Sequence, residues 1–190
     1  MPTLAFHTQA PGFGAPDDPI MKGFTDRIDG VFDSAHNTEG FIGRYDRFSG
    51  EFHRGAHPSE AVHAPGHPGV GSDSHVDFYA ELPGLIAETL SIWTNLESVA
   101  AFSYRGLHSE ALSKRAKWFA KSDHPVYVAW WVDDDDDQLP NWTEAGRRLT
   151  HLHDHGPTPT AFDFKSPFDH TGTPTKLDRP TLNHHAKSVR

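Results

Sequence analysis

The chain has 190 residues, a size for one domain with appendages, and a hydrophobic fraction of 36% with 16 Gly and 15 Pro assigns much of it to loops. Cysteine is absent while histidine reaches 15, which excludes disulfides, thiolate metal sites, iron-sulfur clusters and thiol nucleophiles and leaves imidazole, carboxylate or tyrosine for any metal or heme chemistry. A formal charge of −9 with 17 scattered basic residues argues against nucleic acid as a partner.

The opening MPTLAFHTQAPG has neither a basic leader nor a long apolar run. No later stretch approaches the roughly 20 apolar residues that span a bilayer, so the chain is read as soluble, cytoplasmic and without a membrane partner. Leu4 to His7 is a short apolar start, followed by a Gly/Pro loop from Pro11 to Pro19. Asp18 as cap and Pro19 in the first helical position predict a helix, and Ile20, Phe24, Ile28, Val31 and Ala35 form its apolar face. Asn37 to Gly40 closes it, and Phe41 to Tyr45 is a predicted strand with Gly43 as its weak point.

From Phe48 to Val76 periodicity is low and Gly, Pro, Ser and His are frequent, the composition of a long loop or lid. Leu85 to Trp93 is a predicted strand, and Thr94-Asn95-Leu96-Glu97 has the spacing of a capping box that starts a helix. That helix carries Tyr104, His108, Leu112 and Arg115 along one side and continues to Trp118 and Phe119, with Gly106 bending or splitting it. Tyr127 to Val132 is continuous apolar sequence, a buried central strand in which Trp130 and Trp131 face opposite ways. A further helix runs from Trp142 to His155, capped by Asn141 and stopped by Gly156-Pro157. Residues 1–164 make the domain, with a loop insert at about 46–76, and 165–190 form a polar, Pro-rich tail read as partly disordered.

The order strand, helix, strand, strand, helix, strand, with one more helix, predicts an α+β, ferredoxin-like βαββαβ antiparallel sheet with helices on one face and an extra C-terminal helix. The other sheet face must be buried. Pairing two copies into a closed barrel as a homodimer is one solution.

Three segments carry a resemblance: Ser91 to Phe102 (SIWTNLESVAAF), Tyr104 to Phe119, and Tyr127 to Val132 with Arg148 to Phe162. They resemble a bacterial family of uncharacterised domains related to the antibiotic biosynthesis monooxygenases of the dimeric α+β-barrel superfamily, across residues 4 to 164 apart from the insert. That superfamily includes cofactor-free quinone-forming oxygenases, polyketide cyclases, heme-degrading oxygenases and heme-binding dehydratases. In its heme-degrading members a Trp before the second main helix and a His on that helix are functional, and Trp93 and His108 are similar in order and setting. An Asn near the first strand completes their set. Here His7 and Gln9 are the nearest polar residues.

His108 is the first candidate, as heme-iron ligand or as general base, with Tyr104 and Arg115 orienting a phenolic or anionic group. Trp93 and Trp118 would wall a flat pocket for a small aromatic substrate or for heme. The plainer alternative makes His108 a half-buried histidine bonded to a carbonyl, the tryptophans core, and Arg115 surface. Among the other histidines, only His151 and His155 share a helix face, and His155 suits the negative helix end. His53, His57, His63, His67 and His75 populate the insert and suit a solvated lid better than a zinc or copper site. The Asp133 to Asp137 run lacks the pattern of a Ca²⁺ loop. The implied function is a monooxygenase-type oxidoreductase acting on a flat aromatic or polycyclic molecule, with heme as the possible cofactor. The alternatives are a cofactor-free oxygenase or cyclase of natural-product biosynthesis with His108 as base, and a non-catalytic heme or small-molecule binding protein.

Overall fold

Strand β1, Thr3–Pro11, is an interior strand of a five-stranded sheet and is paired on both edges. β2 (Phe41–Tyr45), β3 (Phe52–Arg54), β4 (Ile86–Trp93) and β5 (Tyr127–Val132) complete the order β3-β2-β4-β1-β5, with every pairing antiparallel. The computed structural model describes residues 1–47, 50–55, 86–133 and 140–189. Without the short edge strand β3, this is the ferredoxin-like βαββαβ sheet. β3 itself falls inside the stretch expected to be loop, where Arg54 pairs with Gly43 and Phe52 with Tyr45.

Alternation along the strands divides the core into two layers. Leu4, Phe6, Trp93 and Ala129 face one side, where they meet Ala35 of helix α2 (Ile28–Asn37) and Leu96, Val99 and Phe102 of helix α3 (Leu96–Tyr104). Ala5, Leu90, Ile92, Val128 and Trp130 face the other side and meet Trp142, Ala145, Leu149 and Leu152 of helix α5 (Trp142–His155). The crossover helices thus share one face, and the extra helix takes the opposite one. α5 covers from within the chain the face for which a second copy was one possible cover. Each fully buried large apolar side chain in this layer contributes about 1.5–3 kcal/mol.

Local chemistry explains the ends of α5. Asn141 Oδ1 accepts the Glu144 amide at 2.9 Å, and Gly156 leaves the helix at φ +73°. Trp130 is buried under α5, while Trp131 on the opposite face donates through Nε1 to the carbonyl of Phe168 at 2.8 Å.

Three further expectations require correction. The helix predicted from Ile20 to Ala35 is broken into α1 (Lys22–Thr25) and α2. Asp18 Oδ1 takes the near amide of Ile20 at 2.9 Å in a turn, and Arg27 interrupts the helical course by bonding back to the Gly23 carbonyl at 2.6 Å and across to Glu110 at 3.0 Å. The cap of α3 is Asn95, which accepts the Ser98 amide at 2.8 Å; Thr94 stands one residue too early. Finally, the segment after Phe164 is structured through residue 189. Asp178 N donates to Glu97 at 2.8 Å, Ser188 Oγ accepts the Glu39 amide at 2.9 Å, and helix α6 (Arg179–His185) packs on α3.

No helix among the described residues is long and apolar enough to cross a membrane. His57, His63, His67 and His75 of the insert, and Asp134 to Asp137 of the acidic run, lie outside the described residues.

Candidate functional site around His108

The break between α3 and α4 (Gly106–Lys114) positions His108. Arg105 is extended at φ −129° and ψ 166°, and Gly106 follows at φ +57°, a conformation that a side chain disfavours. The chain therefore restarts its helix at an angle and folds the imidazole back. His108 Nδ1 lies 3.0 Å from the Ser103 carbonyl oxygen. Since a carbonyl only accepts, Nδ1 carries the proton and the Nε2 lone pair is left for other work. Desolvation lowers the pKa of this histidine below its ordinary value, outweighing the opposing effect of the Ser103 bond. A neutral imidazole follows.

Its ring packs on Phe102, with centroids 4.6 Å apart and planes tilted by 34°. Phe102 stacks in turn on Trp93 at 5.3 Å, and Trp93 meets Phe41 edge to face at 5.0 Å. Trp93 is fully buried, and its Nε1 donates to Ser91 Oγ at 2.8 Å. Trp93 and His108 are therefore connected, through a phenylalanine that the sequence reading did not single out.

The other candidates lie apart. A stripe through Tyr104, His108 and Arg115 requires one continuous helix, and the Arg105–Gly106 break removes it. Tyr104 is 48% exposed on α3, with its ring 5.8 Å from Phe164. It adjoins Tyr127, whose phenol is pushed up first by burial and then by Tyr104. Arg115 is exposed in the turn that ends α4, seven residues and so roughly 10 Å of helical rise from His108. Trp118 is buried at α1, under the guanidinium of Arg27 at 5.4 Å and beside Phe24 at 6.2 Å.

Heme can be tested against these residues. His108 Nε2 is a suitable nitrogen donor, being neutral and held through Nδ1. The walls are unsuitable. Trp93 is fully buried with its ring against Phe41 and Phe102, and Trp118 is committed to α1. α2 also presses on α4 closely enough that a Cβ on Gly30 would stand 2.7 Å from Leu107. These residues do not fit a porphyrin, so no step is routed through heme.

His7 and Gln9 face α5, the side opposite Trp93, so neither completes a set with His108. His7 meets Trp142 edge to face at 6.1 Å, and Gln9 Nε2 donates to Glu88 at 2.7 Å. Period-two alternation from Leu4 already separates them, because odd and even positions of β1 point apart. The histidines of α5 are also resolved: His155 Nδ1 bonds the His151 carbonyl at 3.2 Å, the helix-end role expected of it. Among the described residues no group of three or more His, Asp or Glu could hold a metal ion.

Fold and site together define an α+β domain with a ferredoxin-like sheet, sealed on both faces, and a tautomer-fixed histidine at a helix break. The family described as "Domain of unknown function (DUF3291)" matches residues 3–178, and the chain belongs to that family. No curated protein and no solved structure matches it.

Proposed function

We propose that this protein is a cofactor-free, monooxygenase-type oxidoreductase acting on a small flat aromatic molecule, with His108 as general base. The observation that carries the reading is the Nδ1–H to Ser103 carbonyl bond at 3.0 Å, which leaves Nε2 as the basic atom of a neutral imidazole near pH 7. The resemblance of Ser91 to Phe102, Tyr104 to Phe119, and Tyr127 to Val132 with Arg148 to Phe162 to uncharacterised domains related to the antibiotic biosynthesis monooxygenases supports it.

The chemistry balances with O₂ as co-reactant. His108 Nε2 takes a proton from an acidic carbon flanked by aromatic or carbonyl groups. The carbanion passes its electrons to O₂ and forms a C–O bond, and the peroxide anion recovers the proton from the imidazolium. Loss of water leaves a ketone, so that R₂CH₂ and O₂ become R₂C=O and H₂O. Arg115, exposed at the far end of α4, is the cation that draws an anionic group of the substrate toward the site.

The test is O₂ uptake by the purified protein with an anthrone-type probe. Uptake that falls at least 100-fold in His108→Ala supports the proposal. Full turnover by His108→Ala, or a probe that is retained and returned unchanged in air, overturns it; the second result describes a binding protein.

A further inference from the structure

The layer between β1 and α5 holds polar groups that the mechanism does not use. His7 is fully buried and Gln9 is 1% exposed, in the centre of a layer otherwise lined by Leu90, Val128, Trp130 and Leu149. Their positions follow from the register, because Gln9 stands opposite Glu88 and His7 opposite Leu90. His7 Nδ1 donates to the Thr89 carbonyl at 3.0 Å, so its Nε2 is an acceptor, and among the described residues that atom has no partner. Gln9 donates to Glu88 through Nε2, and its Oε1 is a second acceptor without a partner among the described residues. The indole Nε1–H of buried Trp142 and the hydroxyl of buried Tyr45, on the same face of the sheet, are likewise donors without a partner among the described residues.

A single such orphan costs about 1–3 kcal/mol, and four together weigh heavily against the 5–15 kcal/mol by which a domain is stable. Buried polar groups are normally paired with protein, water or ligand. Two acceptors and two donors gathered in one layer match a group that both donates and accepts, which is a hydroxyl.

Charge narrows the ligand further. Arg47 Nε lies 2.8 Å from Glu88 Oε2, so the charged pair of the layer is already matched, and Arg47 also covers the Trp142 ring at 5.5 Å. Glu144, at the start of α5, is held by Arg148 at 2.6 Å. His7 is held neutral by its complete burial. Neither an anion nor a cation finds a counter-charge here. The apolar surfaces beside the orphans are the rings of Trp142 and Tyr45, and Phe52 lies 5.0 Å from Tyr45.

We infer that the layer between β1 and α5 is a second ligand site, lined by His7, Gln9, Tyr45 and Trp142, for a small uncharged molecule bearing a hydroxyl on a planar apolar body. The ligand's O–H donates to His7 Nε2 or Gln9 Oε1, and its oxygen accepts from Trp142 Nε1 or the Tyr45 hydroxyl. The site lies across the sheet from His108 and does not depend on the role given to that residue.

Phenol is the probe, and the full chain is titrated while the indole N–H resonance of Trp142, assigned by its loss in Trp142→Phe, is followed by NMR. The expected result is a saturable shift of that resonance, retained in His108→Ala. Calorimetry should show affinity falling about tenfold in Trp142→Phe, which keeps the ring and removes the donor, and about tenfold in His7→Leu, which removes the acceptor. If one variant fails to fold, the other carries the comparison. A Trp142 resonance unmoved by millimolar phenol means that water alone fills the layer and overturns the inference. Affinity unchanged in the folded variants overturns it as well.

Discussion

His108 donates its Nδ1–H to the carbonyl oxygen of Ser103 across the junction of two helices, at 3.0 Å. The junction depends on Gly106, the residue at φ +57°. A Cβ in that region costs about 1–2 kcal/mol, so Gly106→Ala should lower unfolding free energy by about that amount in urea titrations. The same substitution should alter the His108 ring resonances, because the helix restart that places the imidazole on Phe102 is disturbed.

The protonation of His108 follows from its surroundings. Burial holds its pKa below the ordinary 6.5, so an NMR titration should show the imidazole losing its proton below that pH. As a base it works deprotonated. The acid limb of kcat/KM should therefore rise with pH with its midpoint below pH 6.5, and a midpoint above that value contradicts the assignment.

His7 makes stability pH-dependent. Complete burial depresses its pKa to about 4 from 6.5, with the Thr89 bond opposing the shift and the nearby Arg47 charge adding to it. Between these two values the unfolded chain binds a proton that the folded chain refuses, so stability rises with pH across that window. The contribution is whole above pH 6.5 and is lost as pH falls through 4, an amount of about 3 kcal/mol. In His7→Leu, the difference between unfolding free energies at pH 4.5 and pH 7 should shrink by most of that amount.

The start of α3 offers a contrast between neighbouring residues. Asn95→Ala removes the acceptor for the Ser98 amide and should destabilise the protein by about 1 kcal/mol. Thr94→Ala should have less than half that effect, since its hydroxyl caps no helical amide. Equal losses in thermal unfolding of the two variants would return the cap to Thr94.

Features set by neighbouring residues were legible from the sequence. Asn141 and Gly156 bound α5 where their side-chain and backbone chemistry says they should, and Trp130 and Trp131 diverge because a strand alternates. Gly106 marked the split in the long helix. What stayed hidden depends on distant partners. The break at Arg27 is completed by Glu110, and the order of residues 165–189 depends on Trp131, Glu97 and Glu39, far earlier in the chain. The site shows the same division. Trp93 and His108 each stood out in the sequence, but the separation of Tyr104 from His108 did not, because helical spacing assumes an unbroken helix. The orphaned atoms around His7 required the register of β1 against β4 and the placement of α5.

α5 closes the second face of the sheet with residues of the same polypeptide. Folding of this core is then a first-order event, and its midpoint should be the same in a dilute solution as in a concentrated one. The apolar face that α5 covers is thereby closed by the chain's own residues.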